Sequence, residues 1–564
     1  MAELAPGMVT AEDASGPVAT VSAKSVPVKH TRLIFATLAF VILCQVWLIF
    51  AKAINWDEFL HFGQVYELQA GQLGSGIQTL PTRLFAWATG VSQDIITQIQ
   101  AIRLVMLACA VAAAAAVVAL ARQLVRFEIA LLSGLVFLTA GFVFTNAFTY
   151  RTDPVAAAAL MWALYVFATG QLTWKRVALT GLLVGFAGAL TIKSIFYLPC
   201  FAAFAWLRWT EDGEGRVRRL LQFCSVGLVA MLSFALLVGL HGAGLPASEA
   251  QGSNLQRSFG NFLRFFEFEK IRYVFAQATL APLVTVSLIA LPFFARKMSS
   301  RTTIMLLGLC GPLLCILFYR NTFPYFFTFL LPPICVAIAP VLERAVTRYG
   351  QVPVIGFALL GPIFLLTQEP WGTLERQRAT INEVERLYPE PTPYLSYSGY
   401  MPHYPRQFPS LISGVGLRRY WDQRNGQIAE DIEAGRIAFI IATGDALDAI
   451  YANDEPTPFL PEQDIAALRD NYLQHSDTIY ILGLEICPGA QDQTVNIVRT
   501  GPWSLEGGSL TIDGRRITDG ETIRLEAGIR QIRHEIGSCV KLWGLDHVPQ
   551  LPEGFPGGPI AGSF

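Results

Sequence analysis

The chain has 564 residues, of which 53% are hydrophobic and only 15% charged, with a formal net charge of −1. Ordinary soluble domains carry about 25% charged residues. Near-neutral charge leaves no case for nucleic-acid binding, and the apolar runs gather most of the length into one membrane unit instead of the three or four soluble domains it would otherwise suggest.

The first 30 residues, rich in Ala, Ser, Val and Pro, read as a disordered cytoplasmic tail. Lys24, Lys29 and Arg32 precede the first apolar run, and no convincing cleavage site follows it, so the run reads as an anchor and not a cleaved signal. A span needs roughly 20 apolar residues. Candidate spans are 33–51, 102–121, 128–148, 154–172, 177–193, 195–207, 221–240, 275–295, 302–319, 323–342 and 352–367, about eleven in all. Arg122 and Arg126, Lys175 and Arg176, Arg208 and Arg216–Arg219, Arg296–Arg301, and Arg344 and Arg348 share the side of the basic N-terminus, which makes that side the cytoplasm. The loops 52–101 and 241–274 and the chain after 367 then face outward; one helix more or fewer would reverse the tail.

Within 241–274, Arg257, Arg264, Lys270 and Arg272 alternate with phenylalanines at helical spacing. This predicts an amphipathic helix, either lying at the lipid interface over a donor lipid or packed on the protein. From 368 the character changes. Ile437–Ile441 and Thr478–Leu484 are β-rich runs around a helical stretch near 462–472, so 368–490 is expected to be an α/β region. Runs of period two punctuated by Gly, such as Ser509–Gly514 and Glu521–Leu525, make 491–564 a β-sandwich region. Seven of the nine cysteines lie in or beside apolar segments; Cys487 and Cys539 lie in the polar tail and would pair only in an oxidising compartment.

The residues able to do chemistry lie at the outward ends of spans. Asp57 and Glu58 follow the first helix in an apolar context, with His61 nearby; charge placed there is costly unless solvated or paired, so the choice lies between a solvated helix end and a site. Arg83 stands alone among apolar and aromatic residues, as a snorkelling side chain or a fixed cation. In Tyr150-Arg151-Thr152-Asp153-Pro154, Asp153 reads as a helix N-cap, which leaves Arg151 to be explained. Lys193 interrupts an apolar stretch. Arg320 and Tyr325 lie in a tight aromatic turn. Both signs of charge converge on one face of the bilayer, which fits an anionic, lipid-borne substrate.

As an ordered set these motifs resemble the GT-C superfamily of glycosyltransferases, in particular the bacterial branch related to protein O-mannosyltransferases and aminoarabinose transferases. The likeness rests on Asp57-Glu58 opening the first loop, Pro81-Thr82-Arg83-Leu84 with Trp87, Arg151-Thr152-Asp153-Pro154, Lys193 to Pro199, and the Arg320 turn before Pro332-Pro333. It covers roughly 31–367, and Leu80-Pro81-Thr82-Arg83 departs from the Lys-Pro-Pro of many relatives. The resemblance implies a catalytic membrane domain at 31–367, a polyprenyl-phosphate-linked sugar donor, and transfer outside the bacterial inner membrane to an envelope glycan, lipid or protein. It implies Asp57 as general base with Glu58 beside it, and His61, Arg83, Arg151, Asp153, Lys193, Arg320 and Tyr325 as substrate-binding residues. No spacing demands a cofactor, although Asp57, Glu58 and His61 have donors suited to Mg²⁺ or Mn²⁺. A lipid-linked sugar flippase would need polar residues near the bilayer midplane, where these spans are nearly free of charge; a non-catalytic glycan-binding scaffold is the other alternative.

Overall fold

The computed structural model describes residues 28–74, 76, 78–210, 215–246, 270–319, 321–408, 414–423, 426–443, 447, 460–488, 493–534 and 537–562. The expected N-terminal tail up to residue 27, most of the amphipathic segment in 241–274, and Arg320 lie outside the described residues. The chain divides into two compact units. One combines the residues up to Phe50 with Glu67–Glu369; the other combines Ala51–Tyr66 with Pro370–Ser563.

The first unit is helical. After α1 (Val28–Ala51), and beyond α2 (Trp56–Gln69) and the short α3 (Leu80–Leu84), come α4 (Ile95–Ala121), α5 (Phe127–Leu138), α6 (Phe142–Asn146), α7 (Thr152–Ala168), α8 (Trp174–Leu190), α9 (Leu198–Trp209) and α10 (Arg216–Gly242). Then follow α11 (Ile271–Leu280), α12 (Pro282–Ala295), α13 (Ser300–Cys310), α14 (Phe326–Ala337), α15 (Ala339–Tyr349) and α16 (Gln351–Gln368). Among the described residues, five helical stretches are long and apolar enough to cross a membrane, or seven if the bent pairs α11–α12 and α14–α15 each count as one span. The remaining expected spans fall on shorter helices, because the chain breaks inside them.

One break shows how the polar backbone is satisfied at depth. Gly141 has φ +54°, and a Cβ there would lie 2.9 Å from the Gln277 side chain. Gln277 of α11 fills the gap between α5 and α6, accepting from the Phe142 amide at 2.9 Å and donating to the Ala140 carbonyl at 2.9 Å. Without such a partner, broken helix at membrane depth would cost several kcal/mol per orphaned group, on the order of 4. Elsewhere small residues bring helices together: a Cβ on Gly181 of α8 would lie 2.6 Å from Val229 of α10. The outer side of α10 is bare, with Met231, Leu236 and Leu240 each more than 60% exposed, a face suited to lipid and not to water.

Among the described residues, the second unit carries α17 (Thr373–Leu387), α18 (Gly414–Gln423), α19 (Gln427–Glu433) and α20 (Glu462–Asn471) with twelve strands. The strands are β1 (Tyr394–Ser396), β2 (Arg406–Gln407), β3 (Phe439–Ile441), β4 (Tyr472–Gln474), β5 (Ile479–Ile486), β6 (Gln493–Ile497), β7 (Gly501–Glu506), β8 (Ser509–Ile512), β9 (Arg515–Thr518), β10 (Thr522–Leu525), β11 (Gly528–Arg533) and β12 (Val540–Trp543). The larger sheet runs β10-β7-β12-β5-β3-β1-β2, with β4 also on β5; the smaller runs β6-β11-β8-β9. Among the described residues, only β1 pairs in parallel, with β2 and β3. Trp503, Leu505 and Leu542 of the larger sheet share a core with Leu510, Ile512 and Ile532 of the smaller, the two-layer arrangement expected near the end of the chain.

The expected boundary at 490/491 is crossed by the larger sheet. The almost wholly buried β5 pairs with β3 and β4 along one stretch and with β12 along another. A Cys487–Cys539 disulfide fastens β5 to β12 across 52 residues; closing a loop of that size removes about 4 kcal/mol of chain entropy from the unfolded state.

Candidate functional site

In the first unit, Asp153, Arg151, Lys193 and Tyr325 meet. Thr152 opens α7, so Asp153 occupies its first turn, and Arg151, in extended conformation, stands at the N-cap position expected for Asp153. The Asp153 carboxylate is therefore turned toward Lys193, which pairs with Oδ1; Oδ2 lies 3.6 Å from Arg151 Nε and makes no hydrogen bond among the described residues. Lys193 reaches this point because α8 ends at Leu190 and a 3-10 turn, Ile192–Tyr197, begins under Thr191, whose hydroxyl accepts from the Lys193 amide. The Arg151 guanidinium lies 3.1 Å from the centre of the Tyr325 ring, and Lys193 Nζ is within 6 Å of the rings of Tyr325, Phe326 and Phe329. Phe196 and Phe326 pack on Tyr319 at 5.3 and 4.8 Å, which closes an aromatic wall.

The chemistry of this cluster follows from its donors. Lys and Arg carry roughly eight N–H donors against the four or so lone-pair sites of one carboxylate. Two cations held by segments far apart in sequence, in surroundings that are 7% exposed at Lys193 and 1% at Asp153, suit a ligand with several anionic oxygens.

Arg83 of α3 is engaged elsewhere. Its Nε donates to His241 Nδ1 at 2.9 Å, and Nη2 to the carbonyls of His241 and Ala243 at 3.0 and 3.2 Å. It thereby caps the carboxyl end of α10, where a cation is favoured. Because Nδ1 accepts, His241 carries its proton on Nε2 and donates to Thr79 Oγ1 at 2.8 Å.

Asp57, Glu58 and His61 belong to the second unit, in the first turns of α2. Asn55 caps that helix: its Oδ1 accepts from the Asp57 amide at 3.0 Å, while Glu58 Oε2 accepts from the Asn55 amide at 3.0 Å. This reciprocal arrangement is a capping box with Asn in the Ser/Thr position, and it gives the fully buried Glu58 a structural task. Asp57 is 6% exposed in the same turn, and His61 is half-buried. Among the described residues, no three His, Cys, Asp or Glu side chains converge to hold a metal ion.

Two further residues escaped the sequence reading. Arg103, fully buried in α4, donates to the Ile49 carbonyl at 3.3 Å, near the end of α1, and lies 5.7 Å from the Phe148 ring. An arginine inside an apolar run was the available signal. Gln377 of α17 binds the backbone of Ile54; nothing in its sequence context marks it.

No family model matches the chain, and no curated protein matches it by sequence. Among solved structures, it is similar to ArnT from Cupriavidus metallidurans bound to undecaprenyl phosphate, at 12% identity and a TM-score of 0.45, over 77% of this chain and 90% of that one. It is also similar to the Archaeoglobus fulgidus oligosaccharyltransferase in complex with zinc and sulfate, at 10% identity and a TM-score of 0.43, over 91% of this chain and 98% of that one.

Proposed function

We propose that the protein is an inverting glycosyltransferase of the GT-C type. It moves a sugar from a polyprenyl-phosphate-linked donor to an envelope glycan, lipid or protein on the periplasmic side of the inner membrane. The observation that carries this reading is the buried Arg151–Asp153–Lys193 cluster, whose two cations suit a lipid phosphate. The disulfide of the second unit fits an oxidising compartment.

In the proposed reaction, Asp57 takes the proton of the acceptor hydroxyl as that oxygen attacks the anomeric carbon. The new carbon–oxygen bond forms as the bond to the phosphate oxygen breaks, and the electron pair leaves with the lipid phosphate. Arg151 and Lys193 stabilise the charge that develops there. Attack opposite the leaving group inverts the anomeric centre. Asp153 sets the position of Lys193, and Glu58 holds the turn that presents Asp57.

The test is a comparison of envelope glycans and lipids from cells with and without the gene, followed by complementation with Asp57→Asn. The variant should lose about 10²–10⁴ of product formation, the usual worth of a general base, and still bind undecaprenyl phosphate. Full activity in Asp57→Asn would overturn the mechanism.

A further inference from the structure

The turn that carries Asp57 is held by a side chain 323 residues further along the chain. Gln377, fully buried in α17, accepts from the Ile54 amide at 2.8 Å and donates to the Ile54 carbonyl at 2.8 Å. It thus makes, from one amide group, the pair of bonds a neighbouring strand would make to that residue. Its second N–H goes to the Ile560 carbonyl at 2.9 Å. All the hydrogens of the amide are then committed, and the backbone is fixed one residue before the Asn55 cap.

The segment 558–562 completes the ring. The Gly558 amide donates to Asp477 Oδ2 at 2.6 Å, Arg376 Nε donates to the Pro559 carbonyl at 2.9 Å, and the Tyr400 hydroxyl donates to the Ile560 carbonyl at 3.2 Å. Tyr400 also packs on Phe59, one turn into α2, with ring centres 4.7 Å apart. Gly562 lies so close that a Cβ there would be 2.7 Å from the Ile54 carbonyl oxygen.

We infer that Gln377 and the strap 558–562 are positioning elements that set the register of the Asn55–Glu58 turn for catalysis. This inference rests on the proposed role of Asp57. Loose tethering of a short turn leaves its residues in place only part of the time, and misplacing a reacting group by about 1 Å can cost on the order of 10²-fold in rate.

The test uses the full chain in lipid nanodiscs, with Gln377→Leu and Gly562→Val as independent variants. Hydrogen exchange over residues 52–66 should accelerate about tenfold in each, because the lost bonds hold that backbone closed. Product formation per folded molecule should fall about tenfold or more, with the affinity for undecaprenyl phosphate unchanged. Unaltered exchange in both variants overturns the inference, and so does faster exchange with product formation intact. Failure of the functional reading shows differently: Asp57→Asn would then retain product formation, while the exchange result would still decide whether the strap holds the turn.

Discussion

Two buried carboxylates, Glu383 in the second unit and Asp153 in the first, are solved in different ways. Glu383 accepts from Arg386 Nε and Nη2 at 2.9 and 2.7 Å and from His475 Nε2 at 2.7 Å, and Arg386 is tied in turn to the Gln550 carbonyl at 2.7 Å. Every oxygen has a donor, and the group joins α17 to the turn between β4 and β5. Asp153 has Lys193 on one oxygen and Arg151 at 3.6 Å on the other, beyond hydrogen-bond reach. A satisfied buried network serves to rigidify, whereas an unsatisfied polar atom in a native interior calls for an explanation, of which a catalytic role is one. The contrast matters to the proposed function, in which Asp153 belongs to the donor site and its geometry would tighten on the ligand.

The sharpest way to break this contrast is Lys193→Met. If the cluster binds a lipid phosphate, product formation should fall by about 10²–10³, and affinity for undecaprenyl phosphate should fall with it in a flotation or calorimetric assay. Loss of thermal stability with affinity and turnover preserved would make Asp153–Lys193 a structural pair of the same kind as Glu383–Arg386.

The reverse experiment is Glu383→Gln. Arg386 is half-exposed and can turn to water, so the cost lies near the lower end for a broken charged hydrogen bond, about 2 kcal/mol. For a unit of this size that is a fall in Tm of roughly 4–8 °C. Turnover of the molecules that remain folded should be unchanged, as read from activity normalised to the folded fraction. A loss of turnover at unchanged Tm would place Glu383 in the chemistry and remove the basis of the comparison.

What the sequence reveals of these two regions differs for physical reasons. Apolar length dictates helices, so α1, α4 and α10 are readable from hydropathy alone. The break at Gly141 is not, because it depends on Gln277 arriving from another helix. Period two gives the strands of 491–564, but strand order is set by which faces find partners, and β5 is buried enough to serve neighbours on both sides. Arg151, Asp153 and Lys193 are visible as costly charges at the ends of apolar runs. That Asp153 is not the cap of α7 depends on one backbone conformation at Arg151. Arg83 shows the limit of such reasoning: the same logic marks it for an anion, and its donors go to the end of α10. Gln377 is invisible because a glutamine on a polar helix face has no pattern; only its partners give it meaning.

The smallest effect concerns pH, and it follows from the Glu383 network alone. Burial holds the His475 imidazole below its usual 6.5, with Glu383 pulling partly the other way. As pH falls through 6.5, the unfolded chain takes up a proton that folded His475 still refuses, so stability declines toward the lowered folded value. Burial pushes Glu383 up, but the hydrogen bonds from Arg386 and His475 outweigh it and hold the carboxyl below 4.5. Its contribution is therefore complete above 4.5 and is lost as pH falls through the folded value. Both groups make acid destabilising, in two separate windows. His403, also lowered by burial, acts in the upper one, so His475→Gln, which retains a donor for Glu383, should reduce the slope between pH 7 and 5 without abolishing it. Chemical unfolding followed by tryptophan fluorescence gives that slope, expected to change by less than one proton. An unchanged slope would mean that His475 titrates alike in the folded and unfolded chain, and the second unit would then owe nothing to keeping that imidazole neutral beside Glu383.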